Sequence, residues 1–153
     1  MKKTLALLIL ISMALLSFAS CAGKVAEEGN VTVVVESEDG KYEVYKTYLE
    51  EIENKTDGAL AVIKHLSERE ENPLHLVYSD GSYGAYITEI GSIKEDPTSG
   101  KYVMIYTTTE TDSYADAPTV TYGEALLFSS GVGINLMSVE AGTIILFRVE
   151  TFS

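Results

Sequence analysis

The 153-residue chain has no tryptophan, one cysteine, three prolines and two histidines. Each scarcity removes a class of chemistry. With Cys21 alone, no intramolecular disulfide can form, and a thiolate zinc site, which needs several cysteine or histidine partners, cannot be assembled. The two histidines, His65 and His75, are not a helical turn apart, so no paired-imidazole site is expected. Basic residues are also few: 11 Lys and Arg stand against 23 Asp and Glu, a formal net charge of −12. Nucleic-acid binding draws on cationic side chains that displace counterions from phosphates, and this chain lacks them. The same balance disfavours attraction to anionic lipid headgroups.

Long apolar runs are limited to one. Lys2 and Lys3 precede the almost wholly apolar stretch Leu5 to Leu16, and the small residues Ala19 and Ser20 lead to Cys21. This order of charge, apolar run and small residues reads as a secretory signal over residues 1–20. The run is shorter than the roughly 20 apolar residues that span a bilayer. The segment Ser17-Phe18-Ala19-Ser20-Cys21 resembles the bacterial lipobox, in which the cysteine is lipidated and becomes the new amino terminus. Phe18 departs from the usual leucine three residues before the cysteine. One acyl chain holds a protein only marginally, so a stable anchor needs more than one. Loss of residues 1–20 removes Lys2 and Lys3, leaving 9 basic against 23 acidic residues and a net charge of −14. The expected membrane contact is therefore the lipid on Cys21, at the bacterial cell envelope and facing outside the cytoplasm. A lipidated sulfur is also lost as a catalytic nucleophile.

Residues 22–30 (AGKVAEEGN) are polar and carry no apolar period, so 21–30 is expected to be a lipidated tether. Residues 31–153 are long enough for one domain with a real core. Val31 to Glu36 is a β-branched run, and Asp39-Gly40 is a hairpin-turn signal. Lys41 to Tyr48 should return as the partner strand, with Tyr42, Val44 and Tyr48 on one face and Tyr45, Thr47 and Leu49 on the other. A helical reading competes, because Tyr42, Tyr45, Leu49 and Ile52 also recur at helical spacing; the turn favours the strand. Thr56 and Asp57 offer capping oxygens, and Ala59, Val62, Ile63 and Leu66 form an amphipathic stripe. That helix should end near Glu71, before Asn72-Pro73.

From Leu74 onward the pattern is strands and turns. Strands are expected over Leu74 to Tyr78, Ala85 to Ile90, Lys101 to Thr108, Thr119 to Phe128 and Thr143 to Thr151. Ser79 to Gly84, Glu95 to Gly100 and Glu110 to Pro118 read as turns or polar loops. One helix among several strands predicts an α+β fold, a grasp-like curved and mainly antiparallel sheet packed on a single helix.

The order of elements, the helix start Thr56-Asp57-Gly58-Ala59-Leu60, the stretches Tyr83 to Ile90 and Lys101 to Tyr106, and Val139 to Thr143 before the last strand resemble a known family. It is the domain of unknown function related to the carboxy-terminal β-domain of transcobalamin and intrinsic factor. The resemblance covers most of the chain from Val31. It implies a grasp-like domain of bacterial surface proteins and, through distant relatives alone, binding of cobalamin or another corrinoid. Many members carry Trp where this chain has Tyr102-Val103, and the large helical domain that completes the animal cobalamin site has no room here.

The residues themselves offer no catalytic or metal set. The acidic pairs Glu38-Asp39, Glu95-Asp96 and Asp112 with Asp116 fall in expected turns, where solvation explains them, and none fits the EF-hand pattern. Serines lack a nucleophile-elbow context, and no triad can be named. Tyrosine is what the chain has in quantity, ten residues. Tyr78, Tyr83 and Tyr86 flank one turn cluster, and Tyr102 and Tyr106 share one face of a strand. These five are the candidate ligand-contacting residues, able to stack on a sugar, a flat ligand or another protein's side chains, and equally suited to core and cross-strand packing. The expected function is a non-catalytic binding module for a small molecule, glycan or peptide. An interaction domain in a cell-surface complex is the alternative, and an envelope hydrolase is less favoured.

Overall fold

The computed structural model describes residues 28–82 and 84–152. The expected signal segment, Cys21 and Tyr83 lie outside them. Among the described residues the chain forms nine strands and one α-helix: β1 (Val31–Glu36), β2 (Tyr42–Thr47), α1 (Gly58–Ser67), β3 (Leu76–Gly81), β4 (Gly84–Ile90), β5 (Ile93–Lys94), β6 (Lys101–Thr107), β7 (Thr119–Tyr122), β8 (Ala125–Ser129) and β9 (Ile144–Thr151). The fold is α+β, a curled sheet rich in antiparallel pairs with a single helix, as the sequence pattern predicts. No helix among the described residues is long and apolar enough to cross a membrane.

Two sheets share the work. The larger has strand order β2-β1-β9-β6-β8-β7, and the smaller has order β3-β4-β5. Among the described residues only β1 and β9 pair in parallel, and the other strand pairs are antiparallel. The β1–β2 hairpin forms where Asp39-Gly40 places it, with Gly40 at a φ of 77° and its N–H bonded to the Ser37 carbonyl at 2.9 Å. On β2, Tyr45 and Thr47 are buried while Tyr42 and Val44 are exposed, so the period-two alternation decides the strand over the helix. A short 3-10 turn, Leu49–Glu51, follows instead of a helix.

The main core lies between the larger sheet, the helix and the smaller sheet. Val31, Val33, Val35, Val103, Ile145 and Phe147 meet Ala59, Val62, Ile63 and Leu66 of α1, and Ala85, Ile87, Ile90 and Ile93 of β4 and β5. Each fully buried aliphatic or Phe side chain contributes about 1.5–3 kcal/mol relative to exposure. A second cluster, Val34, Tyr106, Leu127 and Leu146, fills the opposite face of the larger sheet, where β7 and β8 fold over it. Both faces of β1 are therefore covered, which is why its sequence is a continuous β-branched run rather than an alternation.

Several expected boundaries shift for physical reasons. The helix ends at Ser67, short of Glu71, with the Glu68 N–H closing on Lys64 O. Its start is not capped by a side chain of Asp57. Instead the N–H groups of Ala59 and Leu60 bond the carbonyls of Met137 and Ile134 at 3.2 Å each, and Gly58 lies where a side chain would strike Met137 O. Strand β3 runs on through Ser79, Asp80 and Gly81, placed in a turn by composition, because these residues pair with Tyr86, Ala85 and Gly84 across a bulge at Val77/Tyr78. Thr119 to Phe128 is a hairpin of two strands turning at Gly123, with a φ of 60°. Asn30, read as the end of the tether, is bound into the fold: its N–H donates to Thr47 O at 3.0 Å and its side chain accepts from Leu49 N at 2.8 Å.

Candidate functional site

The four candidate tyrosines among the described residues, Tyr78, Tyr86, Tyr102 and Tyr106, do not form one surface. Tyr78 stands opposite Ile87 and Tyr86 opposite Ser79, so Tyr78 and Tyr86 leave the β3–β4 ribbon on opposite faces. Tyr78 packs against the main core, and the Lys64 ammonium sits 5.4 Å from its ring centre. Interaction with Tyr78 first, and with Asp57 after it, raises the Lys64 pKa above its ordinary value against the pull of desolvation. Tyr106 is a correction to the expected site. It is 1% exposed, at the centre of the second core cluster, and its hydroxyl donates to Glu150 Oε1 at 2.5 Å. Burial, then the Glu150 carboxylate, pushes its phenol well above the ordinary tyrosine range. A ligand cannot stack on it.

Tyr102 lies near the start of β6, and β4, which carries Tyr86, packs against that strand. Tyr86 is 45% exposed, and its hydroxyl donates to Glu95 Oε2 at 2.5 Å. Its pKa is pushed up to about 12, by burial first, then by the Glu95 hydrogen bond and charge, with Tyr102 adding to the shift.

A third ring joins them. Phe152 follows the end of β9, is 53% exposed, and lies with its ring centre 6.1 Å from that of Tyr102, tilted by 57°. Its backbone is fixed by the N–H bond from Phe152 to Gly100 O at 2.9 Å. Gly100 has a φ of 69°, and a Cβ there would fall 2.3 Å from Phe152 O, so only glycine lets the two chains approach this closely. Tyr102 and Phe152 thus form a ring pair, and Tyr86 on the adjoining β4, whose phenol senses Tyr102, extends it to a row of three aromatic side chains. Glu150, directly opposite Tyr102 and so on the same sheet face, and Glu95 place carboxylates beside it.

Phe152 was missed by sequence reasoning because it follows a strand end with no turn signal. The β6–β9 register that sets Tyr102 beside Glu150, two residues before Phe152, is the information that finds it.

Two concave surfaces lie elsewhere. A groove of about 580 Å³ runs along the helix, lined by Glu51, Glu53, Asp57, Lys64, His65 and Arg69 among others. Its basic side chains are engaged within the chain: Lys64 with Asp57 at 3.6 Å, His65 Nε2 near Glu51 at 3.8 Å, and Arg69 with the Lys46 carbonyl at 2.6 Å. A smaller notch, about 260 Å³, opens where β1 stops at Glu36 while β9 continues. There Lys101 pairs with Glu38 at 2.8 Å, and Arg148 with Glu36 at 3.3 Å. The Arg148 Nε lies 3.6 Å from Glu150 and makes no hydrogen bond.

Asp112, expected as a solvated turn residue beside Asp116, is instead 7% exposed. Its carboxylate accepts from the Ser138 N–H at 2.7 Å and from the Ser138 hydroxyl at 3.3 Å, tying the loop before β7 to the loop before β9. It is a structural link. Asp116 is exposed, with a φ of 60°.

No family model matches the sequence, and no curated protein matches it. Among solved structures, the chain is similar to a protein of Ruminococcus gnavus named as a "putative metal binding protein", with a TM-score of 0.53 and 14% identity over 82% of this chain and 100% of that one. At that identity the likeness shows a shared fold. Among the described residues, no three His, Cys, Asp or Glu side chains converge to hold a metal ion. Both concave surfaces are lined mainly by charged and polar groups, and neither offers the broad apolar cradle that the flat ring system of a corrinoid would need. No corrinoid is assigned to them.

Proposed function

We propose that the protein is a lipid-anchored, extracytoplasmic binding module of the transcobalamin-related domain family, non-catalytic, held at the bacterial cell envelope through Cys21. The aromatic row Tyr86–Tyr102–Phe152 is its ligand-contacting surface. One observation carries this reading: Tyr86 and Phe152 keep about half of their surface in water, at 45% and 53%, beside Tyr102, while Tyr106 of the same strand face is consumed by the core. Large rings left exposed together and backed by paired strands supply contact area at little ordering cost, as binding surfaces do. The lipobox-like segment before Cys21 and the acidic charge support attachment through lipid rather than through a basic patch.

A thermal-shift screen against small molecules, oligosaccharides and peptides tests it. The ligand found should lose affinity for the Tyr86→Ala/Tyr102→Ala variant while the melting temperature of the free protein stays within a few degrees. Undiminished affinity in that variant contradicts the assignment of the row. Activity on an envelope substrate that vanishes with one acidic or serine change contradicts the non-catalytic reading.

A further inference from the structure

We infer that the Tyr86–Tyr102–Phe152 row takes a neutral glycan chain, stacked on its rings; this rests on the binding-module reading and names its ligand class. Tyr86 and Phe152 each keep about half of their surface in water, so the row presents an open face. Small molecules favour enclosed sites that cover most of their surface, whereas a chain gathers modest contacts spread over an open face. The three rings come from β4, β6 and the segment after β9, so they extend across neighbouring strands.

The chemistry of the rim selects the chain's type. Aromatic faces are electron-rich, and the C–H-bearing face of a pyranose ring is complementary to them. Glu95, which already orients the Tyr86 hydroxyl, and Glu150, opposite Tyr102, are acceptors suited to sugar hydroxyls. The same carboxylates, in a mature chain of net charge −14, repel phosphates, uronates and other acidic sugars. A single-stranded nucleic acid would stack equally well but brings a phosphate per base. An extended peptide draws on unpaired strand edges for its main-chain bonds; on the β9 side of β6 that edge is taken, with Tyr102 and Val103 paired to Glu150 and Val149, and Phe152 N–H is bound to Gly100.

Affinity gel electrophoresis of the full chain, solubilised in mild detergent, tests the inference. The probes are xyloglucan, galactomannan and amylopectin as neutral polymers and polygalacturonate as the acidic one. At least one neutral polymer should retard the protein and polygalacturonate should not. Tyr102→Ala and Phe152→Ala should each weaken the retardation about tenfold, the order expected on losing a stacking ring. Melting temperatures of both variants show whether folding is intact, and Tyr86→Phe, which keeps the ring and loses only the hydroxyl, should retain most of the retardation.

No retardation by any neutral polymer, or retardation that the variants leave unchanged, overturns the inference. Retardation by polygalacturonate alone overturns the neutral assignment. A peptide or small molecule bound by the wild type and lost in the same variants would overturn the glycan class while leaving the binding-module reading in place.

Discussion

The rings of Tyr42 and Tyr122 meet edge to face, 5.1 Å apart with their planes at 80°. Tyr42 belongs to β2 and Tyr122 to β7, the two outermost strands of the six-stranded sheet. The contact therefore draws the sheet's opposite edges together around the second core cluster, and blunts two strand edges that would otherwise be open to pairing with another chain.

A double-mutant cycle of Tyr42→Ala and Tyr122→Ala should give a coupling of about 0.5–1.5 kcal/mol, the range of aromatic pairs beyond their area burial. Denaturant unfolding of the four proteins measures it. A coupling near zero would mean that the curl of the sheet does not depend on this contact.

Asp112 joins two loops through Ser138. Replacing it with Ala leaves the Ser138 N–H without its acceptor and should cost about 2 kcal/mol in urea unfolding, as for hydrogen bonds to charged groups. Asp112→Asn keeps an acceptor oxygen and should cost less. Asp116→Asn, at an exposed position, should leave stability nearly unchanged.

Gly100 sets the position of Phe152. Gly100→Ala places a side chain in left-handed backbone, a cost of about 1–2 kcal/mol, and against the Phe152 carbonyl. Both stability and ligand affinity should fall, and affinity should fall further than in an equally destabilised core variant such as Ile63→Val. Unchanged affinity would separate Phe152 from the site.

Alkaline titration has a definite sign. Tyr86, pushed up to about 12, and Tyr106, pushed up further, both prefer the neutral phenol in the folded chain. Their contributions to stability are fully present below the ordinary tyrosine value of about 10 and are lost as pH rises through the folded values. Tyrosinate absorbance followed against pH should show late-titrating groups, and Tyr86→Phe should remove the one near 12. At the acid end the direction reverses. Glu89, lowered first by its hydrogen bond from Lys94, and Asp96, lowered first by Ser99, contribute above the ordinary carboxylate range and lose that contribution as pH falls. Asp96 is exposed and Glu89 half-buried, with its Lys94 and His75 partners at the surface, so solvent screening should keep the acid effect small.

Much of the fold was legible in particular residues. Ala59, Val62, Ile63 and Leu66 name the helix because one apolar stripe at helical spacing needs a core beneath it, and all four are buried. Asp39-Gly40 names the first hairpin. What alternation along one strand does not reveal is that a second layer covers its other face. Tyr106 reads like Tyr102 in the sequence, yet β8 folds over the first and not the second. The β3 extension escaped because Ser79-Asp80-Gly81 carries turn composition, which its pairing with β4 overrides. Phe152 joins the row only through the β6–β9 register, a relationship between segments some 50 residues apart. The tyrosine signal named Tyr86 and Tyr102, two of the three rings of the proposed row.

The Cys21→Ser chain should be released from membranes as a still-folded domain, because the lipid is the proposed membrane contact. Fractionation with circular dichroism checks both halves. Retention of that variant in the membrane fraction would contradict the anchor.

The most direct measurement is to map where the ligand lands. Amide chemical shifts of the isotope-labelled chain are followed while an oligosaccharide of the neutral polymer that retards it most is added. The account predicts the largest changes at Tyr86, Glu95, Gly100, Tyr102 and Phe152. Largest changes along the helix-side groove instead, at Glu51, His65 and Arg69, would contradict it.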